Sequence, residues 1–272
     1  MKKSERVTAR DLRSWKKRGR RIPVLTCYDF TMARLLDRTG VPVLLVGDSL
    51  GQVMLGYDST LPVTLEEMIH HTRAVSRARP QALIVADMPF LSFQVSPERA
   101  MEAAGRLVKE GRADAVKLEG GERSVPAIRT LTEAGIPVMG HLGLTPQSIL
   151  VLGGYRVQGR RQADAERLRD DARRLEEAGC FSLVLESIPA PLAGEITQAS
   201  TIPTIGIGAG PACDGQVLVL HDMLGIFDEF QPRFVRRFLE GGALIEQAVA
   251  EYMAAVERQE FPGPEHSVGL DN

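Results

Sequence analysis

The sequence predicts an α/β fold: a (β/α)8 (TIM) barrel with an additional C-terminal helix. Three observations predict it. A grammar recurs along the chain, in which a helical pattern is followed by Gly and then by a short β-branched run. It appears as "LLDRTGVPVLLVG" at 35–47, "VKEGRADAVKLEG" at 108–120, "LTEAGIPVMGH" at 131–141 and "LEEAGCFSLVLES" at 175–187. Gly just past a helix accepts the left-handed conformation that ends it. The runs that follow are nearly continuous in Val, Ile and Leu, as in parallel strands covered on both faces. Finally, eight strand candidates alternate with helical patterns, the expectation for a (β/α)8 barrel of about 250 residues.

Taken in order, the chain opens on a basic stretch, "MKKSERVTARDLRSWKKRGRR". It lacks the apolar segment of a secretory signal and reads as a solvated short helix and loop. Strands are expected at 22–27, 43–47, 82–86, 115–119, 137–141, 182–186, 203–207 and 217–221. Thr64 with Glu67 fits a capping box, and Ser96 before Pro97 fits an N-cap with Pro at the first helical position. Leu168, Ala172, Leu175 and Ala178 fall on one helical face. A last helical pattern, 232–258, exceeds the eight units and is expected to pack outside the barrel or on a partner subunit. With no linker or composition break, residues 1–272 are expected to form a single barrel domain. A doubly wound sheet is the alternative, but no G-x-G-x-x-G follows the first strand.

Bulk properties narrow the function. The formal net charge of -2 predicts no general affinity for nucleic acid or for acidic membranes. No apolar run is long enough to span a bilayer. Cys27, Cys180 and Cys213 stand far apart and form no CxxC pair, which argues against a disulfide framework and a structural zinc site. A reducing cytoplasm is the natural compartment.

Barrel enzymes place their chemistry at the C-terminal ends of strands. Here those ends are polar: "TCYD", "VGDS", "VADMP", "VKLEGG", "GHLG", "VLES" and "GIGAG". One Asp at a strand end is usually a helix cap. Asp48, Asp87, Glu119 and Glu186 recur at equivalent positions, where a barrel gathers them on one rim. Four carboxylates there resist ionisation unless a cation or proton sits among them. Oxygen donors without a His/Cys cluster favour Mg2+ over Zn2+. His141, the one histidine at a strand end, reads as a hydrogen-bonding or core group rather than a ligand.

In "AVKLEGG" (115–121), Lys117 and Glu119 share one face of a core strand. Two readings stay open: the two charges pair with each other, or Lys117 holds a substrate carboxylate beside a metal. Metal plus Lys describes a site for a 2-oxo acid, whose enolate the cation stabilises. Glu186 is then the base that removes the proton next to the carbonyl, a role that requires burial to raise its pKa. Gly120 and Gly121 are expected to leave room for the ligand. "GIGAG" is either a phosphate cradle or tight packing at the rim.

At these residues the chain resembles a known family. "TCYD", "VGDSLGQVMLGYDST", "ADMPF", "VKLEGG", "GHLGLTPQS", "GGYRVQGR", "LVLESIP" and "GIGAGPACDGQVLVLHDMLG" together closely resemble the 3-methyl-2-oxobutanoate (ketopantoate) hydroxymethyltransferases. The likeness runs from "TARDLRSWKKRGRRI" to "FPGPEHS". It implies transfer of a one-carbon unit from 5,10-methylenetetrahydrofolate to 3-methyl-2-oxobutanoate through a Mg-stabilised enolate. The products are 2-dehydropantoate and tetrahydrofolate, on the route to pantothenate and coenzyme A. By motif it implies Asp48, Asp87 and Glu119 at the Mg2+ site, and Asp48, Ser49, Asp87 and Lys117 at the oxo-acid site. It further implies Glu186 as proton acceptor, His141 and Tyr28 in support, and a homodecamer built as a pentamer of dimers. The glycine-rich loop "GLTPQSILVLGGYRVQGR" is a candidate lid. Two other classes stand against this reading. One is a lyase or phosphonomutase of the related oxo-acid barrels, whose "KKCGH" loop is absent here. The other is a non-catalytic scaffold, which would not need the polar rim.

Overall fold

The Val/Ile/Leu runs become strands that pair only with parallel neighbours, so each run is covered by the barrel interior on one face and by helices on the other. A computed structural model describes residues 6–269. The first five residues of the basic N-terminal stretch lie outside the described residues. The chain begins with α1 (Ala9–Lys17), β1 (Ile22–Thr26), α2 (Phe30–Thr39) and β2 (Val43–Val46). Then come α3 (Leu50–Val53), α4 (Leu65–Arg77), β3 (Leu83–Asp87), α5 (Pro97–Lys109) and β4 (Ala115–Glu119). Next are α6 (Val125–Glu133), β5 (Val138–Gly143), α7 (Ile149–Leu152), α8 (Gln162–Glu177) and β6 (Ser182–Glu186). The last elements are α9 (Ala190–Ala199), β7 (Thr204–Ile207), β8 (Gly215–Leu218), α10 (Leu220–Met223) and α11 (Gly241–Glu257). Strands β1 to β8 close in chain order into one parallel barrel.

Local signals act as expected. Thr64 accepts from the Glu67 N–H while the Glu67 carboxylate takes the Thr64 N–H, completing the capping box of α4. Ser96 caps α5, with Pro97 at its first position. Leu168, Ala172, Leu175 and Ala178 are buried along one side of α8 and the residue after it. The basic start is less solvated than expected. Leu12 and Trp15 join the barrel core, and the cations on the other face bind loops that precede strands. Arg13 donates to the Cys180 carbonyl, Arg21 to the Cys213 carbonyl, and Lys16 to Asp214 at 2.9 Å. Helix α1 therefore closes the N-terminal end of the barrel, leaving the opposite rim for the site.

Alternation along the strands builds the gradient that matters. The inward-facing series Leu83–Val85–Asp87, Ala115–Lys117–Glu119, Met139–His141 and Val184–Glu186 each run from apolar to charged toward the C-terminal end. In the register, Asp87 lies beside Lys117, Glu119 beside His141, and His141 beside Val184. The apolar members form the core cluster with Ile22, Val24, Val43 and Leu45.

Two boundaries differ from expectation. Strand β8 is shifted from 217–221 to Gly215–Leu218. Gly215 pairs with Ile22 and Ile205, so close that a Cβ would collide with the Ile22 carbonyl oxygen. Leu220, apolar and expected in the strand, instead donates its N–H to the Thr26 hydroxyl as α10 begins. The last long helix starts at Gly241, not 232. Phe238 and Gly241 donate their N–H groups to the Met223 and Leu224 carbonyls, which holds 232–240 in turns.

The chain divides into two compact units, one up to Leu220 and the other from His221. The first contains the whole barrel. The second contains α11, the additional helix. No described helix is long and apolar enough to cross a membrane.

Candidate active site

The rim at the C-terminal strand ends gathers the charged side chains named from the sequence. Asp48, Asp87, Lys117, Glu119 and His141 are each no more than 5% exposed, far drier than isolated charges tolerate. Neighbouring strands supply the partners. Lys117 Nζ lies 3.0 Å from Asp87 Oδ1. Asp87 Oδ2 accepts the backbone N–H of Asp48 at 3.0 Å. His141 sits between two carboxylates, with Nδ1 3.5 Å from Glu119 Oε1 and Nε2 3.1 Å from Glu186 Oε2. The Tyr28 and Ser49 hydroxyls share a hydrogen bond of 2.9 Å.

The structure decides the Lys117 question differently from a pairing with Glu119. Residues two apart on a strand are about 6.6 Å apart along it, whereas the register sets Asp87 directly alongside Lys117. Lys117 therefore pairs with Asp87, and Glu119 with His141. Gly120 and Gly121 are also required by close packing at this turn. Gly120 has φ +104°, and a Cβ on Gly121 would collide with the Asp171 carboxylate of α8. That carboxylate accepts the Glu122 N–H at 2.9 Å. The glycines allow α8 to approach the turn. "GIGAG" likewise resolves to packing: a Cβ on Gly206 would stand 3.0 Å from Cys213 Sγ, and one on Gly210 would collide with Ala190.

Electrostatics follow from the geometry. Burial, then repulsion from Asp87 and Glu119, raises the Asp48 carboxyl well above its ordinary range. Burial opposes the Lys117 charge, but Asp87, Glu119 and Asp48 outweigh it and hold its pKa above the usual value. For His141, burial and Lys117 press the pKa down, yet its bonds to Glu119 and Glu186 prevail and lift it to about 9. Lys117 Nζ also stands 3.2 Å from His141 Nδ1. That contact is attractive only for a neutral ring, so the flanking carboxylates are what favour the charged form. With Asp48 ionised, four carboxylates against Lys117 and a protonated His141 leave two negative charges uncompensated; a proton on Asp48 reduces the excess to one.

Two residues here escaped sequence reasoning. Gln147, in the loop after β5, donates its amide to Asp48 Oδ2 at 2.8 Å and its backbone N–H to Glu119 Oε2 at 3.0 Å. Its signal was the run "GLTPQS" after a rim strand. Gly47 is the other: a Cβ there would stand 2.8 Å from Ser49 Oγ and 3.5 Å from Asp87 Oδ2. Among the described residues, no group of three His, Cys, Asp or Glu side chains is positioned to hold a metal by itself.

The site motifs and this geometry can be set beside known proteins. The family model described as ketopantoate hydroxymethyltransferase matches residues 6–264. The chain belongs to that family. The 3-methyl-2-oxobutanoate hydroxymethyltransferase of Moorella thermoacetica is 57% identical over 267 residues, covering 98% of this chain and 99% of that one. That of Syntrophotalea carbinolica is 57% identical over 263 residues, covering 97% and 98%. The protein is accordingly an enzyme, a hydroxymethyltransferase of the ketopantoate family. Among solved structures, phosphonopyruvate hydrolase in complex with oxalate and Mg++ aligns with TM-score 0.62 at 13% identity, covering 96% of this chain and 93% of that one. A 2,3-dimethylmalate lyase of the PEP mutase/isocitrate lyase superfamily aligns with TM-score 0.55 at 19% identity, covering 97% and 90%. At such identities the likeness is one of fold, so the lyase reading gains nothing from it.

Proposed function

We propose that the enzyme transfers the one-carbon unit of 5,10-methylenetetrahydrofolate to 3-methyl-2-oxobutanoate, with Mg2+, giving 2-dehydropantoate and tetrahydrofolate for pantothenate and coenzyme A synthesis. The observation that carries this reading is the charge imbalance of a buried rim: four carboxylates against Lys117 and His141, two negative charges in excess once Asp48 is ionised. A single divalent cation matches that excess. Asp48, Asp87 and Glu119 would hold it. Mg2+ takes one or two protein carboxylates and keeps waters or substrate in its other positions, so it does not require three side chains in a preformed cage. When bound, it supplies Lewis acidity to the keto and carboxylate oxygens of the substrate.

The chain's own residues do the rest. Lys117, anchored by Asp87, offers its ammonium to the substrate carboxylate, with the Ser49 hydroxyl beside it. Glu186 takes the proton from C3. His141, bridging Glu186 and Glu119, orients that carboxylate and carries charge between the two. Tyr28 holds Ser49 in place. C3 then adds to the methylene carbon. Overall, one C–H bond and the two methylene C–N bonds break, and one C–C and one C–O bond form. Water supplies the hydroxyl, and the two folate nitrogens each end with a proton.

Incubating the pure enzyme with Mg2+, 3-methyl-2-oxobutanoate and methylenetetrahydrofolate should yield 2-dehydropantoate; a folded protein that makes none would falsify this reading. Glu186→Gln should still bind the oxo acid but lose exchange of the C3 proton with deuterated solvent by at least a hundredfold. Exchange at the wild-type rate would take Glu186 out of the base role.

Self-association is part of the proposal. Helix α11 exposes Leu244, Ile245, Val249, Tyr252 and Met253, each more than half exposed. Soluble monomers rarely leave such a contiguous apolar surface open. This supports a homodecamer, a pentamer of dimers. The unpaired, buried Cys27, Cys180 and Cys213 support a cytoplasmic setting.

A further inference from the structure

Gln147 is buried in the loop after β5, with 5% of its surface exposed. Its amide nitrogen, amide oxygen and backbone N–H are all engaged in hydrogen bonds. The two hydrogens of its amide nitrogen go to Asp48 Oδ2 at 2.8 Å and the Met88 carbonyl at 2.9 Å. Its amide oxygen accepts from Gln94 Nε2 at 2.9 Å. Its backbone N–H goes to Glu119 Oε2 at 3.0 Å. One residue thus ties together the ends of β2, β3 and β4. Its amide can face only one way, because turning it would set its oxygen against two acceptors and its NH2 group against that of Gln94.

The consequence falls on Asp48. Its Oδ2 accepts from the Gln147 amide at 2.8 Å, and its backbone N–H goes to Asp87 Oδ2 at 3.0 Å, so it is held at both side chain and backbone. A donor at Oδ2 fixes the rotation of the carboxylate and occupies that oxygen, leaving Oδ1 as the oxygen offered to a cation. We infer that Gln147 is a positioning residue that sets the divalent-cation affinity of the rim by holding the Asp48 carboxylate in one orientation, with Gln94 fixing the direction of the Gln147 amide. This rests on the metal-dependent reading above.

The test uses Mn2+ as probe, titrated by electron paramagnetic resonance on the full chain without substrates. Gln147→Ala should weaken Mn2+ binding about tenfold, the scale of a hydrogen bond to a charged group. In the transfer assay its half-saturating Mg2+ concentration should rise by a similar factor, while kcat returns toward wild type at saturating Mg2+. Gln94→Ala, at an exposed position, should shift both in the same direction by about threefold. Unchanged Mn2+ affinity in Gln147→Ala, or a loss of kcat that metal does not restore, overturns the inference in favour of a purely structural loop staple. Should Gln147→Ala fail to fold, Gln94→Ala decides: a weakened affinity supports the inference, and an unchanged one overturns it. A wild type that binds Mn2+ but makes no 2-dehydropantoate removes the reaction and leaves this test intact. A wild type that binds no Mn2+ sinks the metal reading and this inference together.

Discussion

At the scale of the residue, the rim shows how position outweighs type. His141 read from sequence as a lone hydrogen-bonding group, and the structure makes it a bridge between Glu119 and Glu186. Its pKa, about 9, is raised above the ordinary value of 6.5. In the metal-free protein the stabilisation from its charge is therefore fully present below about pH 6.5 and is lost as pH rises through about 9. A proton NMR titration of the ring in metal-free enzyme should show a midpoint near 9. His141→Gln should flatten the decline of Tm between pH 7 and 10. A ring that titrates near 6.5 would show that its partners do not hold it charged. Lys117 teaches the converse: a pairing with Glu119, two residues away in sequence, is one of the two readings the sequence leaves open, and its ion-pair partner is Asp87, thirty residues away.

At the scale of the element, the legible features were those set by short-range chemistry. The α4 capping box joins residues three apart, so local sequence contains both partners. Thr64→Ala should cost about 1 kcal/mol in urea unfolding and leave transfer activity unchanged, since the cap bonds of Thr64 run to Glu67 and not to a rim side chain. A loss of activity at unchanged stability would place that helix start in the chemistry. Less legible were the ends of β8 and α11. Leu220 is apolar enough to extend a strand, but its N–H is claimed by Thr26 of the first strand. The 232–240 stretch has a helical pattern, but the Phe238 amide within it is claimed by the Met223 carbonyl, and the Gly241 amide just after it by that of Leu224. In each case a partner outside the local window set the boundary.

At the scale of the whole molecule, the barrel unit has one end plugged by α1 and the other charged, while in the second unit α11 carries exposed apolar side chains. Tyr252→Asp should lower the sedimenting mass of the protein in analytical ultracentrifugation, because a carboxylate cannot be buried in an apolar contact without a partner. An unchanged mass would remove that face of α11 from the assembly. The sequence by itself determined the eight-unit barrel, the identity of the rim residues and the family, because strand periodicity, helix punctuation and motif order are written in local residue types. Only the tertiary structure decided which charges pair, why Gly121 must be glycine, and that Gln147 belongs with Asp48 and Glu119. Those facts depend on strand register and loop return, which bring together groups that no spacing along the chain relates.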